Sequence, residues 1–277
     1  RRDTGGTPGA ERIRELFGPL PRVEDRREPL AEPAPQGERR AVLRTPHSVT
    51  RLCFGFPTCR MGERDDYALD VLAHDLGNSK NSRLYRRLVL KDELVTDVHV
   101  MNETRQDPGA LFLMCELRDG VEPAKVEAIV REEIRAQVQE GVAKKDLARI
   151  RTQIRSSFLF QDEAVLDMAM KLGRFEAGTP GGFRTLGSVL ATYDSLTSAE
   201  LRTVAAKFFD FDRIAVVWGL PAASKDGDPD GRRKAGKASR RAKVPTRDAA
   251  KKRGKKAKVP LPVAKKKPTE KSDKKAR

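Results

Sequence analysis

The sequence is poor in the residues around which active sites are usually built. Its three histidines, His47, His74 and His99, fall in separate segments and in none of the spacings HxxEH, HxxxH or HxH, so no metal-ligand pair can be read from them. The three cysteines form no CxxC pair. Cys53 and Cys115 sit in apolar runs and Cys59 just after one, which predicts buried reduced thiols and no disulfide framework. No Gx[SC]xG elbow occurs, and no apolar run approaches the roughly 18 residues that a membrane span needs. Glu132-Glu133 and Asp65-Asp66 are adjacent pairs; on helices, neighbours point to different sides, which excludes either as a carboxylate dyad. Self-sufficient catalysis is therefore not expected, and no residue is assigned a catalytic or metal-ligating role.

What is present is charge, unevenly placed. The chain carries a formal net charge of +16. Residues 221–277 hold 22 Lys and Arg against 6 Asp and Glu, which accounts for all of it and leaves 34 of each sign in residues 1–220. A neutral body gives no electrostatic case for a nucleic-acid cleft in it. The 221–277 segment has no aromatic residue and no apolar stripe, so it is expected to be disordered, with nucleic acid or another polyanion as its possible partner.

Periodicity divides the rest. Residues 1–19 contain a short helical pattern, "AERIRELFG", stopped by Gly18-Pro19. Residues 20–38 are rich in proline and charge and read as a linker. Residues 39–220 form the body. Strands are predicted at 40–45 and 49–56, helices at 64–76 and 82–92, then an antiparallel pair, "LVTDVHVMNET" and "GALFLMCEL", around the turn Asp107-Pro108-Gly109.

From Glu122 to Phe209 the period is helical, with inward stripes such as Val126, Val130 and Ile134, or Val165, Met168, Ala169 and Leu172. "GTPGG" at 178–182 breaks the block. Thr197-x-x-Glu200 is a capping box for the last helix, and "RIAVVWG" at 213–219 is a final strand. The predicted class is α+β: a mostly antiparallel sheet covered on one face by helices.

The stretch "GNSKNSRLYRRL", 77–88, has one glycine and no G-K-[ST], so it lacks a phosphate-binding loop. Gly77 is expected to end one helix and Asn81 or Ser82 to cap the next. Leu84 and Leu88 should face the core, with Arg83 and Arg87 on a solvated stripe.

The order of these segments resembles a known family. "LFGPLPR", the proline linker, "YALDVLAHDLGNSKNSRLYRRLVLKDELVTDV", "DPGALF", "VEAIVREEIRAQVQEGVAKKDLARIRTQI" and "LTSAELRTVAAKFF" together resemble the second, non-catalytic domain of M16 zinc peptidases (insulinase, pitrilysin and processing-peptidase-like) over residues 10–220. The resemblance implies an α+β domain that closes a clamshell chamber against a domain bearing HxxEH. There two imidazoles and a carboxylate hold zinc, and the motif glutamate acts as base.

This sequence has no HxxEH, so the resemblance places zinc in the catalytic partner domain, upstream in the same chain or on a partner subunit. It also implies that residues 1–19 end a preceding catalytic-type domain and that the chain, which begins at Arg1, is part of a longer protein. The family's substrate-contacting Arg and Tyr align with Val89 and Thr96, so that pattern is not met; Arg83 and Tyr85 belong to its structural SRLY run. The expected ligand is an extended peptide, bound by strand addition. The alternative is a stand-alone polyanion-binding protein acting through 221–277.

Overall fold

The computed structural model describes residues 8–21, 33, 35–160 and 164–222. Most of the predicted linker and all of the basic segment beyond Ala222 lie outside the described residues. Helix α1 (Pro8–Phe17) precedes a five-stranded sheet built from β1 (Arg39–Thr45), β2 (Arg51–Pro57), β3 (Val95–Glu103), β4 (Ala110–Leu117) and β5 (Ala215–Pro221). The spatial order is β1-β5-β2-β4-β3; β1 runs parallel to β5 and every other pairing is antiparallel. The predicted class is the observed one.

Strand alternation decides which face is covered. Leu52, Phe54 and Phe56 of β2 are fully buried, as are Leu111, Leu113 and Cys115 of β4, because period-two side chains share a face. On the opposite face Phe112 and Met114 remain exposed. The covering layer holds α2 (Arg64–Leu76), α3 (Pro123–Glu140), α4 (Lys144–Phe160), α5 (Val165–Gly178), α6 (Val189–Ser195) and α7 (Ser198–Phe208). Helix α2 is the centre of this layer and is buried around most of its circumference, including Asp66 and Asp75. Cys59 and Cys115 are buried free thiols whose pKa values burial pushes up to about 12, so both are inert at neutral pH.

Several expectations need correction. The predicted helix 82–92 is a π-helical segment, Tyr85–Lys91, with the Asp92 N–H donating to Arg87 O at 2.9 Å. Neither Asn81 nor Ser82 caps it; the Ser82 hydroxyl donates to Ser79 O at 2.6 Å. Gly77 does end α2, but at φ −146° no left-handed conformation demands it. A Cβ there would lie 2.4 Å from Val100 Cγ2, so close helix-to-strand approach is the reason for glycine.

Leu84 and Leu88 are fully buried, as predicted. Arg83 is not solvated: its side chain is 17% exposed, and Nε donates to Asp75 (3.0 Å), Nη1 to Glu140 (3.0 Å) and Nη2 to Gly141 O (2.9 Å). Arg87 is half-buried and pairs with Asp92 at 2.6 Å. Helical periodicity places an arginine beside the leucine stripe; the neighbouring acids decide whether it folds inward.

Only half of the capping box forms. Thr197 Oγ1 accepts from Glu200 N–H at 3.2 Å, while the Glu200 carboxylate turns to Arg64 (3.0 Å). The largest difference concerns α5, which buries no residue; Val165 of its predicted inward stripe is 89% exposed.

Candidate functional site

The "GNSK" loop is tied down and offers no cradle for an anion. Asn78 Oδ1 accepts from the Val100 N–H of β3 at 3.1 Å, and Ser79 Oγ accepts from Arg149 at 3.2 Å. Val89 packs against the core and the exposed Thr96 hydroxyl donates to Glu116 O at 3.2 Å, so neither position offers a group to a substrate. Among the described residues no group of three or more His, Cys, Asp and Glu side chains is placed to hold a metal ion, so those residues do not fit a zinc site.

What the fold does assemble is a polar cavity of about 600 Å³ between α2, the end of β3, α4, α5 and α6. Asp66, Asp70 and His74 lie at i, i+4 and i+8 on α2 and share one helix face, which lines it. Asp65, the other half of the sequence pair, instead meets Lys207 at 2.6 Å. The adjacent-pair reading of 65–66 was right to exclude a dyad there and missed the pair four residues apart.

Asn102 Nδ2 bridges the two acids, reaching Asp66 Oδ1 at 2.8 Å and Asp70 Oδ1 at 3.0 Å. Asp66 also accepts from the Thr104 hydroxyl (2.8 Å) and from Gly62 N–H (2.9 Å). Asp70 Oδ2 accepts from the Tyr193 hydroxyl at 2.5 Å. These bonds pin α2 to β3 and to α6.

The electrostatics follow from the burial. Asp70 is pushed up to about 7, first by burial and then by the neighbouring charge of Asp66; the Tyr193 and Asn102 donors and Arg174 oppose this only in part. Asp66 is raised by burial, against the pull of its own donors. Tyr193 lies well above the usual tyrosine range, from burial and from Asp70. His74 is lowered by burial and then by the charges of Arg149 and His99. This cluster was not singled out from the sequence. The D-x-x-x-D-x-x-x-H spacing was its one legible signal.

A second polar cluster fixes the first strand. Glu127 of α3 accepts from Arg40 of β1, from Arg131 at 3.0 Å and from Trp218 Nε1 of β5 at 2.9 Å. Burial would raise this carboxyl, but the three donors outweigh it and hold it low. Edge strand β1, which buries no residue of its own, is thereby anchored to the helical layer.

The described residues form a five-stranded sheet covered on one face by helices around the central α2, a two-layer α+β architecture. A sequence model described as the peptidase M16 inactive domain matches residues 10–154, more than half of the chain, and the chain belongs to that family. Three solved structures share its fold. A protease from Helicobacter pylori superposes with a TM-score of 0.70 at 18% identity, over 78% of this chain and 53% of its own. The peptidase M16 inactive domain from Pseudomonas fluorescens gives 0.67 at 15%, over 77% and 50%. An inactive peptidase domain from Bordetella parapertussis gives 0.58 at 15%, over 66% and 98%. The chain thus spans about half the length of the first two. No curated protein matches it in sequence.

Proposed function

We propose that this chain is the non-catalytic half of an M16-type zinc metalloendopeptidase. It completes a peptide-binding chamber with an HxxEH-bearing domain, upstream in the same chain or on a partner subunit. The observation that carries this reading is the match of residues 10–154 to the inactive domain of that family. Helix α1 then ends the preceding catalytic-type domain, in keeping with Ile13, Leu16 and Phe17, which stay more than half exposed here.

Peptide is taken up in extended form by strand addition, and the sheet favours one edge for this. On β3 the Val100 N–H is already satisfied by Asn78, whereas among the described residues no strand pairs with the outer edge of β1, where Val42 and Leu43 are exposed. Zinc and the general base belong to the partner, and this half contributes binding surface.

The test is reconstitution. The isolated chain should hold no stoichiometric zinc and cleave no peptide; mixed with its HxxEH-bearing partner, it should co-elute and confer chelator-sensitive peptide hydrolysis. Co-elution failure together with unchanged activity of the partner alone would overturn the reading. A second role is favoured by one observation, the confinement of the whole +16 to 221–277: electrostatic binding of a polyanion by that segment.

A further inference from the structure

The cavity against α2 has an imbalance of charge. Two carboxylates share one helix face, Asp66 buried and Asp70 half-buried, and every hydrogen bond they accept comes from a neutral donor: Gly62 N–H, Thr104, Asn102 and Tyr193. Among the described residues neither forms an ion pair, although Arg174 lines the same cavity and its charge acts on both. Buried carboxylates settle such a deficit either by keeping a proton or by taking up a cation. Acceptors are in surplus as well. Asn102 spends its amide hydrogens on the two acids while its Oδ1 is buried with no donor, and His74 Nδ1 is likewise buried without a partner.

The walls say which kind of cation fits. Met61, Phe158, Met170 and Phe175 surround the acidic floor with sulfur, methylene and aromatic surface, suited to an alkyl stem and to a cation over a ring face. A volume of about 600 Å³ is ample for one long side chain. Leu166 and Met170, one turn apart on α5, are 71% and 68% exposed, so apolar surface continues from the cavity along the helix. Among the described residues no Lys or Arg forms an ion pair with Asp66 or Asp70. Lys171 turns to Phe158, with Nζ donating to its carbonyl at 2.9 Å, and Arg174 is exposed.

We propose that this cavity binds the guanidinium or ammonium head of a basic side chain, seated on Asp70 with its alkyl stem against Phe158 and Met170. The side chain belongs to an extended peptide, and in that one respect the proposal rests on the peptide-chamber reading. Among the described residues the titratable and charged groups facing Asp70 are Asp66, Tyr67 and His74 on its own helix, Tyr193 on α6, and Asp167, Lys171 and Arg174 on α5; the cavity-lining residues of α4 and β3 add none. A cation requires the ionised carboxylate, so binding must release the proton that burial retains on Asp70 below about pH 7.

The test uses the full chain without a catalytic partner, and butylguanidinium, butylammonium and their neutral isostere butyramide as probes, read by ligand-observed NMR. The cations are expected to bind at least about tenfold more tightly than butyramide, with affinity falling as pH is lowered from about 8 to about 6. Asp70→Asn should weaken binding by about tenfold, and Arg174→Ala, at an exposed position, should strengthen it about two- to fivefold by removing a competing charge. A lysine-containing tripeptide should behave like butylammonium.

Equal binding of butyramide, or cation binding indifferent to pH, would overturn the site and leave a water-filled hollow. So would an Asp70→Asn protein of native circular dichroism that binds undiminished. Should that variant misfold, the pH series and Arg174→Ala decide alone. Because no partner is present, a chain that binds the cations yet never joins an HxxEH subunit refutes the peptidase reading only; the converse refutes the site only.

Discussion

Helices α2 and α5 make an instructive pair. By side-chain content α5 is the more apolar, with Val165, Leu166, Met168, Met170, Leu172 and Phe175 in fourteen residues, whereas α2 carries four aspartates in thirteen. Yet α2 is buried on nearly all sides and α5 buries nothing. Burial here follows position in the layer. Helix α2 lies between the sheet and the outer helices, and its acids are tolerated because each buried one finds donors: Asn102, Thr104 and Tyr193 for Asp66 and Asp70, Arg83 and Gln137 for Asp75. Helix α5 lies at the rim, where an apolar stripe has only the cavity on one side.

The largest expected contrast is a leucine truncated in each region. Leu72→Ala in α2 should cost roughly 2–5 kcal/mol in urea denaturation, and Leu166→Ala in α5 within about 0.5 kcal/mol. Equal costs would show that α5 is packed in the free protein and erase the contrast.

Next comes the arginine that folded inward. Arg83→Ala removes the cation paired with buried Asp75, leaving it the neutral donor Gln137, and should cost about 3 kcal/mol, against about 0.5 kcal/mol for exposed Arg86→Ala. A reversed order would mean that the bridge from Asp75 to Glu140 and Gly141 contributes little.

The buried acids of α2 make a pH prediction. Asp70 is raised in the folded protein, so between its unfolded value near 4 and its folded value of about 7 the native state holds the extra proton. Stability from this group is full below about pH 4 and is lost as pH rises to about 7, by on the order of 4 kcal/mol in all. Denaturation midpoints compared at about pH 5 and pH 8 should show the fall in the wild type and a flatter profile in Asp70→Asn. A wild-type protein that gains stability over that range would reverse the sign.

The smallest effect is expected from removing residues 223–277. The melting temperature of the body should hardly change, while retention on DNA at low salt, if present, should disappear. A body that unfolds without the segment would break the division of the chain drawn from its charge.

Much of the fold was legible before any coordinates, because strand alternation and helical stripes are local. Leu52, Phe54 and Phe56 alternate in the sequence as the covered face of a strand requires, and Leu84 and Leu88 stand four apart on the inner face of their helix. The exposed face of α5 was misread for the same reason: Val165, Met168 and Leu172 have the period of a buried stripe, and periodicity does not say whether anything lies opposite. The π-helical turn at 85–91 was equally out of reach, since its added residue per turn is set by packing against β3.

For the candidate site the balance is different. The sequence by itself determined that no metal-binding motif is present, that the body is neutral and that the charge lies at one end. It also placed Asp66, Asp70 and His74 on one helix face, since a 3.6-residue turn aligns every fourth position. Only the tertiary structure decided that this face would be buried, that Asn102 from β3 and Tyr193 from α6 would close on it, and that a cavity would remain beneath α5. Those partners lie 32 and 123 residues from Asp70. Hydrogen-bond donors at such separations are brought together by the packing of layers, which no local pattern encodes.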